Sequence, residues 1–189
     1  DGVWNSLYPG NKKIEIRHCL DFTFFGKYIP DDIPQNIKDE MIDFLYSELM
    51  TDKWMRAQSL DDIAAEQSDR CDHGPLGAFD GWPAEVMDAL SRMGYTQEAL
   101  DFYQNIEPVT HEGIWAQAHE LWGENKETKK AQVRIPERDW CNRESSSGVG
   151  MSQVMLKDFF GFYPDIDGNP LMEMKNWNFD GKLYHVYYG

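Results

Sequence analysis

Three stretches of the chain gather side chains able to move protons or grip a polar ligand. They are Asp69-Arg70-Cys71-Asp72-His73-Gly74, the run from His111-Glu112 through Trp115 to His119-Glu120, and Arg143-Glu144-Ser145-Ser146-Ser147-Gly148. Carboxylates supply general acids and bases, and Arg70 can orient a neighbouring acid through a bidentate pair. Histidines donate or accept a proton near neutrality, and Trp82, Trp115 and Trp122 offer flat apolar platforms beside those charges. Acids, imidazoles and indoles in the same short segments describe a polar pocket with aromatic walls, the kind of site that processes sugars.

Each stretch has its own reading. Asp69, Arg70, Asp72 and His73 lie in a segment where Gly74, Pro75, Gly77 and Gly81 allow tight turns, so their side chains can converge. A structural ion pair with Arg70 is the plainer use for these acids, and Asp80 fits a helix cap before Trp82-Pro83. If residues 113–122 are helical, at about 100° per residue, Glu112, Trp115, His119 and Trp122 share one sector and Glu120 lies opposite, beside Gly113, Ala116 and Gln117. Small neighbours would leave a ligand room to reach Glu120. Arg143 and Glu144 precede serines that can cap the next helix, whose N-terminus favours negative charge. Glu120, Asp69, Glu112 and Glu144 are therefore the candidate catalytic carboxylates. Arg70, Asp72, His73, Trp82, His111, Trp115, His119 and Arg143 are the candidate substrate contacts.

The elements that must position these residues follow from hydrophobic spacing. Pro34 fits the first turn of a helix running to Met50, with Ile37, Met41, Phe44, Leu45 and Leu49 on its apolar face. Residues 51–80 read as a loop. Trp82-Pro83 opens a helix with Val86, Met87, Leu90 and Met93 inward, ended at Gly94 by a left-handed cap. Thr96 starts the next, with Ala99, Leu100, Phe102, Tyr103 and Ile106 as its stripe and Pro108 as its stop. Helices are also expected over 113–122 and 148–160, separated by a polar excursion over 124–138. Residues 1–30 read as a loop leading into the apolar stretch Cys19 to Tyr28, and alternation from Leu183 to Tyr188 reads as a strand.

Composition narrows the classes. The chain has 189 residues, 41% of them apolar and 14% aromatic, at a mean hydropathy of −0.63, which is globular rather than disordered. A net charge of −15 repels phosphate backbones and anionic lipid surfaces, so neither nucleic acid nor membrane is an expected partner. Cys19, Cys71 and Cys141 form no zinc spacing and read as buried thiols. Asp165-Ile166-Asp167-Gly168-Asn169 has the acids of a calcium loop but lacks its later glutamate, and reads as a turn. No phosphate-loop, dinucleotide, zincin or serine-hydrolase motif is present, and neither a cofactor nor a metal is expected. The chain opens at Asp1, so any targeting segment would lie upstream.

The run Ser68 to Pro83, followed by Leu90-Ser91-Arg92-Met93-Gly94-Tyr95, resembles the late hairpins of six-hairpin glycosidases, a superfamily that includes α-L-rhamnosidase-type enzymes. Phe160-Gly161-Phe162-Tyr163-Pro164-Asp165 is similar to the hairpin that follows, and Lys182 to Val186 to the β-sandwich trailing the toroid. The resemblance implies a mainly α fold: antiparallel helical hairpins over 1–165 forming an incomplete (α/α)6 toroid, and a β region beginning over 166–189. It implies hydrolysis of glycosidic bonds by two carboxyl groups, with Glu120 matching the late glutamate and Glu112 and Glu144 as rivals. The earlier acid would lie upstream, so the remainder of the polypeptide or a companion chain is an expected partner alongside the carbohydrate. Two alternatives keep the same architecture, a toroid that binds carbohydrate without cleaving it and a uronate lyase. Carbohydrate chemistry points to a periplasmic or extracellular setting.

Overall fold

The structure is a computed structural model. It describes residues 1–68, 73–78, 81–110, 119–125, 130–134, 150–173, 180–182 and 184, with only the backbone path for 107–110, 119–120, 122–125 and 130–134. The described residues form an α/β chain with small antiparallel sheets, and the expected incomplete (α/α)6 toroid is not what they build. The toroid expectation rests on helical spacing in segments that long-range strand pairing captures instead.

The chain begins with a hairpin of β1 (Asn5–Tyr8) and β2 (Lys12–Glu15), where a loop was expected. Its turn places Gly10 and Asn11 at positive φ, a geometry glycine and asparagine tolerate best. A π-helical segment, Phe22–Gly26, follows within the expected apolar stretch. Helix α1 (Gln35–Phe44), with Pro34 as its N-cap, continues as a π-helical turn over Leu45–Leu49. Met41, Phe44, Leu45 and Leu49 are buried, as their spacing predicts.

Residues 54–59 are a loop in conformation but core in location. Trp54, Met55, Arg56, Ala57, Gln58 and Ser59 are all buried. Several of their polar groups find partners without regular structure: Trp54 Nε1 donates to the Ala78 carbonyl at 3.0 Å, and an Arg56 guanidinium nitrogen to that of Pro75 at 2.9 Å. The Ala57 N–H donates to Gly77 at 2.9 Å. Such pairing is what permits a buried loop.

Helix α2 (Gly81–Met93) buries Val86, Met87, Leu90 and Met93 at the centre of the core. Pro83 lies in its first turn, where the missing N–H costs nothing. Gly94 adopts φ +95°, as a left-handed terminus requires. Helix α3 (Thr96–Thr110) buries Ala99, Phe102 and Ile106 and runs two residues beyond Pro108, its expected stop. A proline in the last turn forfeits only one intrahelical hydrogen bond, so the helix can pass through it.

The expected helix over 113–122 is overturned at its C-terminal end. Strand β4 (His119–Asn125) is the centre of a three-stranded sheet, between β3 (Gly77–Ala78) and β5 (Lys130–Arg134). Strand β5 also replaces part of the polar excursion. Leu121 decides the local structure. Its N–H donates to the Leu76 carbonyl at 2.6 Å and its side chain is 5% exposed, so long-range pairing and burial prevail over local helical spacing.

Helix α4 (Gly150–Val154) and a π-helical turn, Met155–Phe159, match the expected last helix. Gly161 stops it at φ +65°, where a Cβ would stand 1.8 Å from the Glu173 carbonyl oxygen. Strands β6 (Phe162–Pro164) and β7 (Pro170–Met172) flank the Asp165–Asn169 turn. Asp165 Oδ1 accepts the Asp167 and Asn169 N–H groups at 2.9 and 2.7 Å, so the carboxylate organises a turn. Of the expected C-terminal strand only Tyr184 is described; it is exposed and outside any strand.

Candidate functional site

Directly after the first hairpin the chain turns inward at His18-Cys19-Leu20-Asp21. Cys19 anchors this turn: it is fully buried and its N–H donates to the Ala57 carbonyl at 2.8 Å. The residues on either side, His18 and Asp21, line a cavity of about 300 Å³ with Trp4, Ile16, Phe24 and Phe25. The Trp4 ring stacks on Phe25 with centroids 4.3 Å apart and planes 27° apart. Trp4 and Phe24 remain 37% and 58% exposed, enough apolar ring surface to meet a ligand.

The imidazole of His18 is fixed at both nitrogens. Nδ1 accepts the Leu20 N–H at 3.2 Å, and Nε2 lies 3.3 Å from the His73 carbonyl oxygen, to which it donates. Adding a proton at Nδ1 would set it against the Leu20 donor, so these contacts select the neutral ring. Burial disfavours the cation as well, and the His18 pKa is lowered to about 4 despite the His73 carbonyl. Asp21 shifts the other way. Burial raises its pKa to about 6, and one hydrogen bond, from the Trp4 N–H at 2.7 Å, opposes that rise. The cavity thus holds a neutral imidazole and a carboxyl group that keeps its proton well above the ordinary range.

Two of the sequence candidates, His73 and Trp82, contact His18. Trp82, half-buried on α2, takes the edges of both His18 and His73, at centroid distances of 5.7 and 5.8 Å. Two more are drawn near by the backbone: Glu120 pairs with Gly77 and His119 with Ala78 in the β3–β4 register, a few residues beyond His73. His119 and Glu120, the described end of the second polar stretch, therefore lie beside residues 77–78, a few residues beyond His73 and Gly74. Glu120 and His119 sit on a strand, so their helical sectors do not apply. Asp69, Arg70, Asp72, His111, Glu112, Trp115, Arg143 and Glu144 lie outside the described residues, as do Cys71 and Cys141.

Trp4, His18, Asp21, Phe24 and Phe25 are what the sequence reading missed. One signal was present: His18 and Asp21 are a histidine and an acid three residues apart in an otherwise apolar stretch. On a helical turn that spacing puts both on one face.

Just below the cavity a second polar group is committed to structure. Arg17 Nε donates to Glu48 Oε2 at 2.7 Å, and its terminal nitrogens pair with Glu48 and Glu15. Ser59 Oγ donates to Glu48 Oε2 at 2.6 Å, and Asp62 Oδ2 accepts the Arg17 N–H at 2.6 Å. This network fixes the strand that delivers His18. Among the described residues no group of three His, Cys, Asp or Glu side chains is arranged to hold a metal ion, and no helix is long and apolar enough to cross a membrane.

No family model, curated protein or solved structure matches the chain.

Proposed function

We propose that the protein hydrolyses glycosidic bonds of an oligo- or polysaccharide in the Trp4–His18–Asp21 cleft. Asp21 is the proton donor and Glu120 the second carboxylate. The observation that carries this reading is a half-buried carboxyl group, lining the cavity, that keeps its proton to about pH 6 beside exposed indole and phenyl rings. Such a group can protonate the leaving glycosidic oxygen. The Trp4 ring, stiffened by Phe25, suits the apolar face of a pyranose, which tryptophan binds at low entropic cost. Neutral His18 can accept or donate one hydrogen bond to a hydroxyl only by giving up a present contact, which favours a positioning role.

Hydrolysis also needs a carboxylate to activate water or attack the sugar. The backbone pairing of Glu120 beside the segment that carries His73 supports its choice over Glu112 and Glu144. Asp69 and Asp72, adjoining His73 in the chain, are the alternatives for the same role.

Reducing-sugar release from a panel of neutral, amino and uronic oligosaccharides tests the proposal. Asp21→Asn is expected to lower turnover by roughly a hundredfold or more while leaving sugar binding within a few-fold. Trp4→Ala is expected to weaken binding itself. Full turnover in Asp21→Asn would remove the assignment. Binding without release by the unaltered chain would favour a carbohydrate-binding role, and absorbance near 235 nm a uronate lyase.

A further inference from the structure

Away from the residues that line the cleft, α2 meets the last helix at a seam that the cleft chemistry does not use. Asp88, on α2, and Asp158, on the turn after α4, face each other there with side chains 6% and 7% exposed. Three cations surround Asp88: Arg92 Nε at 2.5 Å, and Lys27 Nζ and Lys157 Nζ each at 3.5 Å. Lys27 is itself paired with Glu85 at 2.5 Å, and Lys157 lies 3.9 Å from Asp158. A cavity of about 170 Å³ lined by Lys27, Glu85, Gln153 and Lys157 adjoins the pair.

The donors are unequally shared. Asp88 takes the hydrogen bond from Arg92, whereas Asp158 Oδ2 is buried with no hydrogen-bond donor among the described residues. Lys157 Nζ reaches both acids, 3.5 Å from Asp88 Oδ1 and 3.9 Å from Asp158 Oδ1, so the two buried carboxyl groups are neighbours, and two such groups can share a hydrogen bond only if one is protonated. Arg92 and the two lysines keep Asp88 ionised, which leaves Asp158 as the proton carrier.

We propose that Asp88 and Asp158 form a proton-sharing pair that latches the helix over 150–159 to α2 and loosens when the shared proton is lost. With the proton, the Asp158 O–H donates to the Asp88 carboxylate. Without it, two buried carboxylates face each other, and only Lys157 offsets their repulsion on the Asp158 side.

The working range follows from the charges. Burial, then the Asp88 charge, raise the Asp158 pKa to about 7, and Lys157 pulls it down. Burial also opposes ionisation of Asp88, but Arg92, Lys157 and Lys27 outweigh it and hold its pKa below the ordinary value. Because the folded pKa of Asp158 lies above the unfolded one, the latch is fully engaged below about pH 4 and is lost as pH rises through about 7. That range suits a protein exposed to acidic and neutral surroundings in turn.

Amide hydrogen exchange of the 189-residue chain, corrected for intrinsic rates, tests the latch. From pH 6 to pH 7.5 the protection of residues 150–159 is expected to fall by about eightfold, while that of α1 changes less. Asp158→Asn retains a donor to Asp88 and should abolish the fall. Lys157→Met removes the cation and should move the fall to higher pH. Protection that is flat over this range in the unaltered chain would overturn the latch. So would an undiminished fall in Asp158→Asn, or an unmoved midpoint in Lys157→Met.

Discussion

Asp21 in the cleft is a half-buried carboxyl group and Asp158 in the seam a buried one, and their surroundings resolve the cost of desolvation differently. Asp21 faces a neutral imidazole and aromatic rings, and its one assigned donor is the Trp4 N–H. Asp158 faces another carboxylate, and of the three cations around Asp88 it pairs only with Lys157, at 3.9 Å. Burial alone brings Asp21 to about 6, whereas burial with a like charge brings Asp158 to about 7. The first arrangement leaves its proton facing a cavity a ligand can enter. The second encloses the proton between two helices. A raised carboxyl pKa therefore marks chemistry in one place and cohesion in the other, and the wall opposite the acid tells them apart.

The largest test of this contrast is removal of the ionised partner. Asp88→Ala strands Arg92 and Lys157 beside the seam and is expected to cost about 3 kcal/mol in denaturant unfolding. This is the low end for a broken buried pair, because both cations reach solvent. Asp21→Ala loses one hydrogen bond and a protonated acid, and should cost about 1 kcal/mol. Equal losses would erase the distinction.

The next test is pH. His18, with a folded pKa below the unfolded one, contributes stability above about pH 6.5 that is lost as pH falls toward 4. Asp21, shifted oppositely, contributes stability at low pH that is lost as pH rises through about 6. The two slopes oppose each other in the cleft, while in the seam the Asp88 contribution is lost only as pH falls below the ordinary carboxylate range and the Asp158 contribution as pH rises through about 7. Thermal melts of His18→Gln between pH 4 and 6.5 should therefore show a steeper loss with rising pH than the unaltered chain, by about 1–2 kcal/mol over the range. Coincident profiles would show that His18 is not held neutral by the fold.

The smallest expected effect probes the shared wall. Gly26 lies against α2, where a Cβ would come 3.0 Å from Ala89 and 3.2 Å from the Met93 sulfur. Gly26→Ala must push the π-helical segment outward and should cost about 1 kcal/mol by overpacking. If cleft and seam are separate devices on one support, it should perturb sugar binding and the exchange of residues 150–159 together. A change in only one would mean that they do not share this support.

Local signals were readable where a helix needs nothing but its own stripe and caps. The faces of α1 and α2 and the left-handed Gly94 follow directly from spacing, because burying one side of a helix fixes its phase. The hairpin around Gly10-Asn11 carried a turn signal that the loop reading passed over. Strand β4 was harder, since its partners lie about forty residues before it and just after it, and pairing leaves little trace in local periodicity. Of the candidate site, His73 and Trp82 were legible as polar and aromatic neighbours of turns. Trp4, His18 and Asp21 were hidden by distance and by the brevity of their segment.

What the sequence determined by itself is the set of amphipathic helices, the acidic charge, the chain reversals at glycine and the presence of acids among aromatics. Each depends on neighbours within a turn or two, where backbone geometry is fixed by local sterics and hydrophobic phase. Only the tertiary structure decided that residues 54–59 are core, that residues 119–125 are a strand, and which carboxyl groups lie beside what. Those outcomes turn on desolvation and on hydrogen-bond partners tens of residues away. Asp21 and Asp158 are the same residue type, and the difference between them is made by the groups the fold places opposite each.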